Sequence, residues 1–298
     1  MSKSVARKFR QRSSAKTAIV FLHGFSGDAE STWRGFPEYL KAVSGLRPWD
    51  IWSVGFPTSL FPEIRGIWTA DPGVGLLATE LHTRCVSGEL AQYGRLALIT
   101  HSMGGLVAQC AIVDSSEFAR RIDSLFLFGT PSLGLVKARW FSLLKLQVRD
   151  MARNSKFITD LRRRWSAAFP DHSETFDLHA VTGNRDEFVP ISSSLEAFPK
   201  ARHNCVPGGH LTLVKPESAE AECVKLVVSG IGRAAVQTSP WTSDQAAIER
   251  GEFHGTIQRL LPRSRELTEE ALVDLALALD ATGKRKLAIE VLEDHPTL

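Results

Sequence analysis

Thr100-His101-Ser102-Met103-Gly104-Gly105 follows directly on the apolar run 96–100 and directly precedes the helical pattern 106–112. A serine on such a strand-to-helix turn has its hydroxyl lifted clear of its neighbours, and the sharpness of the turn demands small residues around it. Thr100 stands where glycine is usual, so its β-branched methyl has to be accommodated. A serine hydroxyl attacks an acyl carbon at neutral pH only when a base takes its proton and a third group orients that base. Both are sought downstream, in the chain order serine, acid, histidine.

Asp186 lies in the loop Gly183-Asn184-Arg185-Asp186-Glu187 after the apolar run 178–182, which puts a carboxylate beyond the carboxyl end of a strand. Glu187 is the adjacent competitor, and either could instead be a surface carboxylate in a solvated loop. Asp171 and Asp177 precede the strand and are poorer candidates. His210, in Pro207-Gly208-Gly209-His210, follows the last apolar run, where glycines let a loop swing over the serine. Of the nine histidines, it is the expected base; His203 falls inside a strand and His172 before the acid, which suits structural roles. The backbone N–H of Met103, at the start of the helix, and that of Phe25, in the turn His23-Gly24-Phe25-Ser26-Gly27, are the expected donors to a negative oxygen. His23 itself suits a structural hydrogen bond at that turn.

Elements that could hold these residues can be read around them. Apolar runs at 18–22, 50–54, 96–100, 124–128, 178–182 and 201–205, each followed by turn residues, alternate with amphipathic stretches. The pattern implies an α/β fold with a mostly parallel sheet flanked by helices. Residues 137–169 read as an amphipathic insertion, either a cap over the site or a crossover helix on the sheet's flank. Residues 240–298 read as a helical C-terminal extension. There Thr268 is an expected N-cap and the segments before and after Thr282-Gly283 form an αα-hairpin, resembling one tetratricopeptide-like unit. One hairpin cannot bury its own apolar face, so it must dock on the main domain, meet another chain, or belong to a small helical module starting near Trp241. The expected organisation is a basic flexible tail at 1–16, a catalytic domain at 17–235 and the helical segment at 240–298.

A chain of 298 residues, 43% hydrophobic and 23% charged, is long enough to bury a core without disulfides or metals. With 36 Lys and Arg against 33 Asp and Glu, the charge balance points away from nucleic acid. The basic start of the chain suits a solvated tail or, as a minor alternative, a short mitochondrial targeting segment. No apolar run is long enough for a secretory signal or a transmembrane span, and a cytoplasmic location is expected. Cys85, Cys110, Cys205 and Cys223 lack metal-ligand spacing and read as small buried hydrophobes; no metal or cofactor is expected.

The run Val20-Phe21-Leu22-His23-Gly24-Phe25 with Thr32-Trp33 downstream, the serine turn, Phe128-Gly129-Thr130-Pro131, the stretch 183–190 and the stretch 210–216 together resemble α/β-hydrolases of the lipase-like and GPI inositol-deacylase-like group. The resemblance covers residues 17–230. It implies the α/β-hydrolase fold and a serine esterase without cofactor, often acting on lipid-like esters, with Ser102 as nucleophile, His210 as base and Asp186 as its orienting acid. Phe25, Trp33, Phe36, Trp52, Phe56, Phe61 and Trp68 could line an apolar acyl pocket or simply belong to the core. Two other readings stand beside hydrolysis. One is a silent scaffold that recruits a protein partner through residues 240–298; the other is acyl transfer to an alcohol or thiol. Dehalogenase and epoxide-hydrolase chemistry is set aside, because those reactions resemble ones that use aspartate where Ser102 stands.

Overall fold

The computed structural model describes residues 6–11, 15–24, 31–56, 73–135, 156–238, 248, 252–267 and 269–294. By internal contacts the chain divides into two units, Met1–Ile231 and Gly232–Leu298.

The first unit is built on a seven-stranded sheet, β1 (Ala6–Arg10), β2 (Thr17–Leu22), β3 (Trp49–Val54), β4 (Arg95–His101), β5 (Ile122–Phe128), β6 (Asp177–Gly183) and β7 (His203–Val206), in the order β1-β3-β2-β4-β5-β6-β7. Strand β1 runs antiparallel to β3, and every other pairing is parallel. The central strands are apolar at nearly every position because both faces are covered. Val20 and Leu22 point into one core, which holds the inner faces of α2 (Val74–Val86) and α3 (Met103–Asp114). Ile19 and Phe21 point into the other, with Phe36 and Leu40 of α1 (Phe36–Ala42) and Val224, Val227 and Ile231 at the end of the unit. Strand alternation thus distributes one sequence run between two helical layers.

Four expectations need correction or placement. The basic tail is in part a strand: Arg10 donates from Nε to the Trp49 carbonyl at 2.8 Å, from Nη1 to that of Lys41 at 3.1 Å and from Nη2 to that of Leu46, while Lys8 lies over the Trp52 ring. Cationic side chains here satisfy carbonyls and protect a sheet edge, where charge alone suggested a solvated segment; residues 1–5 and 12–14 lie outside the described residues. The described end of the 137–169 stretch is the helix Lys156–Ala168, which buries Ile158, Leu161 and Trp165 and joins Arg162 to Gln109 and Arg164 to Asp114 of α3. That end is therefore a flank helix, not a cover over the strand ends; residues 137–155 are outside the described residues. Cys205 is exposed on the edge strand β7, whereas Cys85, Cys110 and Cys223 are buried. The last strand starts at His203, since Lys200–Arg202 forms a 3-10 turn after Pro199.

In the second unit, helices Phe253–Leu260, Glu269–Ala281 and Arg285–Glu293 share a core of Ile257, Leu260, Leu272, Leu275, Leu279, Ala288 and Val291. The hairpin thus belongs to a helical module. Its turn is closed by Gly283 at φ +78°, with Lys284 N–H on the Leu279 carbonyl and Gly283 N–H on that of Asp280, the hydrogen-bond pair of a Schellman cap. Thr268 lies outside the described residues. Among the described residues no helix is long and apolar enough to cross a membrane.

Candidate active site

Strand β4 ends at His101 and α3 begins at Met103, leaving Ser102 alone at φ 53°, ψ −125°. A side-chain-bearing residue in such a region costs roughly 1–3 kcal/mol and persists only where its surroundings over-determine it. Here they do. The Ser102 N–H bonds the Phe128 carbonyl at 2.9 Å and its carbonyl accepts from Gly105 at 3.0 Å. A β-carbon at Gly104 would overlap the Leu22 carbonyl oxygen, and one at Gly105 the Thr130 hydroxyl, so glycine at both positions lets α3 leave the sheet this steeply. Thr100 is fitted by its own hydroxyl, which donates to the Phe126 carbonyl at 2.8 Å.

The loops after β6 and β7 are stitched together. Asn184 Oδ1 accepts from Gly208 N–H at 3.1 Å, Arg185 N–H donates to the Gly208 carbonyl at 3.0 Å, and Gly208 takes φ +126° to permit it. His210 is thereby carried over Ser102, its Nε2 3.1 Å from the serine Oγ and its Nδ1 2.9 Å from Asp186 Oδ2. A carboxylate only accepts, so Nδ1 carries the proton and Nε2 offers its lone pair to the serine hydroxyl. Asp186 is itself held, its Oδ1 accepting from Phe188 N–H at 3.0 Å and Val189 N–H at 2.8 Å. Both side chains are buried. Glu187 turns the other way, to the His210 backbone N–H at 3.4 Å.

The other residues marked in the sequence fall elsewhere. His23 uses both ring nitrogens structurally: Nδ1–H donates to the Gly24 carbonyl at 2.7 Å, and Nε2 accepts from Phe56 N–H at 3.0 Å. His203 Nε2–H donates to the Phe198 carbonyl, Asp177 pairs with Arg202, and His172 is at the surface beside Glu174. Trp33, Phe36, Trp52 and Phe56 are core residues, and Phe61 and Trp68 lie outside the described residues.

Of the two expected oxyanion donors, Met103 stands at the N-terminus of the twelve-residue α3, where N–H groups point out of the helix. Phe25 lies outside the described residues. The chain just before it runs against the site, since a β-carbon at Gly24 would stand 2.8 Å from Ser102 Cβ and 3.4 Å from Met103 N.

Two residues stand in the motifs read from the sequence but have roles at the site that the reading did not assign. Gly129, at φ +55°, lies against the His210–Asp186 pair, and a β-carbon there would be 3.1 Å from His210 Nδ1; its signals were a glycine directly after a buried strand and its place in the Gly129-Thr130-Pro131 turn. His101 donates Nε2–H to the His210 carbonyl at 2.9 Å, with the two rings 4.8 Å apart and 42° tilted. Burial first, then the neighbouring His210, pull its pKa down to about 3, so it is neutral here. Among the described residues no group of three or more His, Cys, Asp or Glu could hold a metal ion.

The model of the alpha/beta hydrolase family matches residues 19–270. Among solved structures, the mature lipase BlEst2 of Bacillus licheniformis is similar at 16% identity and a TM-score of 0.51, over 72% of this chain and 93% of that one. Phospholipase PlaB from Legionella pneumophila is similar at 14% identity and a TM-score of 0.56, over 73% of this chain; the chain spans 60% of PlaB's length. At these identities the likeness is one of fold. No curated protein matches the chain.

Proposed function

Because the chain belongs to the alpha/beta hydrolase family, we propose that it hydrolyses carboxylic esters through Ser102, His210 and Asp186. The observation that carries this reading is the unbroken line of contacts from Asp186 Oδ2 through both His210 nitrogens to Ser102 Oγ, at 2.9 and 3.1 Å. Ser102 Oγ attacks the ester carbonyl carbon while its proton passes to His210 Nε2. Asp186 orients the ring and stabilises the imidazolium. The carbonyl oxygen becomes negative and is met by the Met103 N–H, with the Phe25 N–H as its partner; one such donor is worth about 3–4 kcal/mol in the transition state. The tetrahedral intermediate collapses, the alcohol leaves with the proton from Nε2, and the acyl group stays on Ser102. Water then attacks the acyl-enzyme while giving a proton to Nε2; as the second tetrahedral intermediate collapses the acyl–Oγ bond breaks, Nε2 returns that proton to Ser102 Oγ and the acid leaves.

An apolar acyl group suits the rim of this site. Phe188 stands edge-on to the His210 ring at 5.6 Å, and Leu211, the next residue, is 56% exposed. Ester hydrolysis of lipid-like substrates is the reading these side chains favour.

Labelling by a fluorophosphonate probe tests it, comparing the native chain with Ser102→Ala and His210→Ala at pH 7.5, followed by p-nitrophenyl esters of increasing acyl length. Labelling of the native chain alone is expected. A folded native chain that neither labels nor hydrolyses any ester would overturn the reading.

A further inference from the structure

We infer that His101 is a positioning residue, holding His210 over Ser102 by donating its Nε2–H to the His210 backbone carbonyl. The inference rests on the serine-hydrolase reading of the site and adds a residue that acts through another one.

His101 is the last residue of β4 and is registered with Phe128 on β5. It shares a peptide bond with Ser102, so its ring is fixed in the same frame as the nucleophile. The described holds on the base loop from the other side come from the acid loop, through Asn184, Arg185 and Glu187. His101 supplies the hold from the nucleophile's side, 109 residues away in the chain. A carbonyl only accepts, so Nε2 must carry the proton. His101 is buried, 5% exposed as a residue, and its ring lies tilted against His210 and meets Trp33 edge-on, so packing sets its direction and leaves the hydrogen bond little slack.

Neutrality matters as much as position. His210 has to become an imidazolium during the reaction, and a second cation 4.8 Å from it would oppose that step. Burial and the charges of His210, His23 and Lys215 disfavour protonation of His101, and together they outweigh the His210 carbonyl, whose hydrogen bond favours it. A histidine at this place is therefore a rigid, neutral donor throughout the range in which His210 works.

The test compares the full-length native chain with His101→Phe, which retains an aromatic ring without a donor, and His101→Gln, whose amide can donate to the same carbonyl. The readouts are kcat and KM for p-nitrophenyl acetate, the fluorophosphonate labelling rate and thermal unfolding. His101→Phe is expected to lose roughly tenfold or more in kcat and labelling rate with KM little changed, because a misplacement of about 1 Å can cost on the order of a hundredfold. His101→Gln is expected to recover most of the loss. Should the Phe variant not fold, His101→Met, flexible and without a strong donor, asks the same question. A folded donor-less variant with native kcat, or a folded Gln variant no better than Phe, overturns the inference. Failure of the native chain itself to label or hydrolyse overturns the reading of the site and this inference with it, which is a distinct result.

Discussion

Gly129 packs directly against the imidazole of His210: a β-carbon on it would stand 3.1 Å from Nδ1 and 3.2 Å from Cε1, with Asp186 Oδ2 also at 3.2 Å. The residue also takes φ +55°, where a side chain costs about 1–2 kcal/mol. Gly129→Ala therefore carries two penalties, one on the backbone and one on the relay. Unfolding in urea should report a loss of about 1–2 kcal/mol, and kcat for ester hydrolysis should fall about tenfold or more as the ring is displaced. A variant that is destabilised but keeps native kcat would show that the relay yields without consequence.

The strands of the sheet were legible because a strand buried on both faces leaves a continuous apolar run, as at Ala18–Leu22 and Leu125–Phe128. The region of Ser102 was legible because the steep exit of α3 requires small residues, and Gly104 and Gly105 stand where bulk would strike Leu22 and Thr130. Strand β1 was not. Ala6–Arg10 has no apolar run, and its pairing with β3 depends on carbonyls more than thirty residues away. Nor was the choice between adjacent acids, which a turn decides: Asp186 faces the ring and Glu187 the backbone. His101 was hidden for the same reason as β1, since its partner is distant in the chain and only folding brings them together.

Arg10 tests the edge strand. Its guanidinium is shared among the carbonyls of Trp49, Lys41 and Leu46, and truncation leaves partly buried acceptors short of a donor. Arg10→Ala should destabilise the protein by about 1–3 kcal/mol, read as a lower urea midpoint with unchanged slope. An unchanged midpoint would return this segment to the solvated tail its charge suggests.

Acid should weaken the fold through His101. Unfolded, the ring takes a proton near its ordinary 6.5; folded, it resists until about 3, because it is buried and sits beside His210. Between those values the unfolded chain binds the extra proton, so this contribution is intact above about pH 6.5, is lost as the pH falls toward 3 and levels below that. At 1.36 kcal/mol per pH unit, the full window amounts to several kcal/mol. His101→Gln removes the group, and its stability from pH 7 to 4 should fall less steeply than the native chain's, by close to one proton. Parallel profiles would mean that His101 is protonated in the folded protein over that range.

Asp186 and Glu187 offer the sharpest comparison, because they are neighbours of the same charge with different duties. Asp186→Asn keeps the shape but can present an amide N–H to Nδ1, favouring the tautomer in which Nε2 carries the proton and cannot accept one from Ser102. In a serine triad that exchange costs about 10⁴ in kcat, and a loss of that order is expected here with little change in KM. Glu187→Gln keeps an oxygen for the His210 N–H, a contact of 3.4 Å that a neutral acceptor can still make, so kcat should stay within about threefold of native. Steady-state kinetics on one ester, with unfolding curves to confirm that both variants are folded, separates the two. Equal losses would mean that the charge of the loop matters rather than the contact with Nδ1, and a loss confined to Glu187→Gln would assign the orienting role to the neighbour.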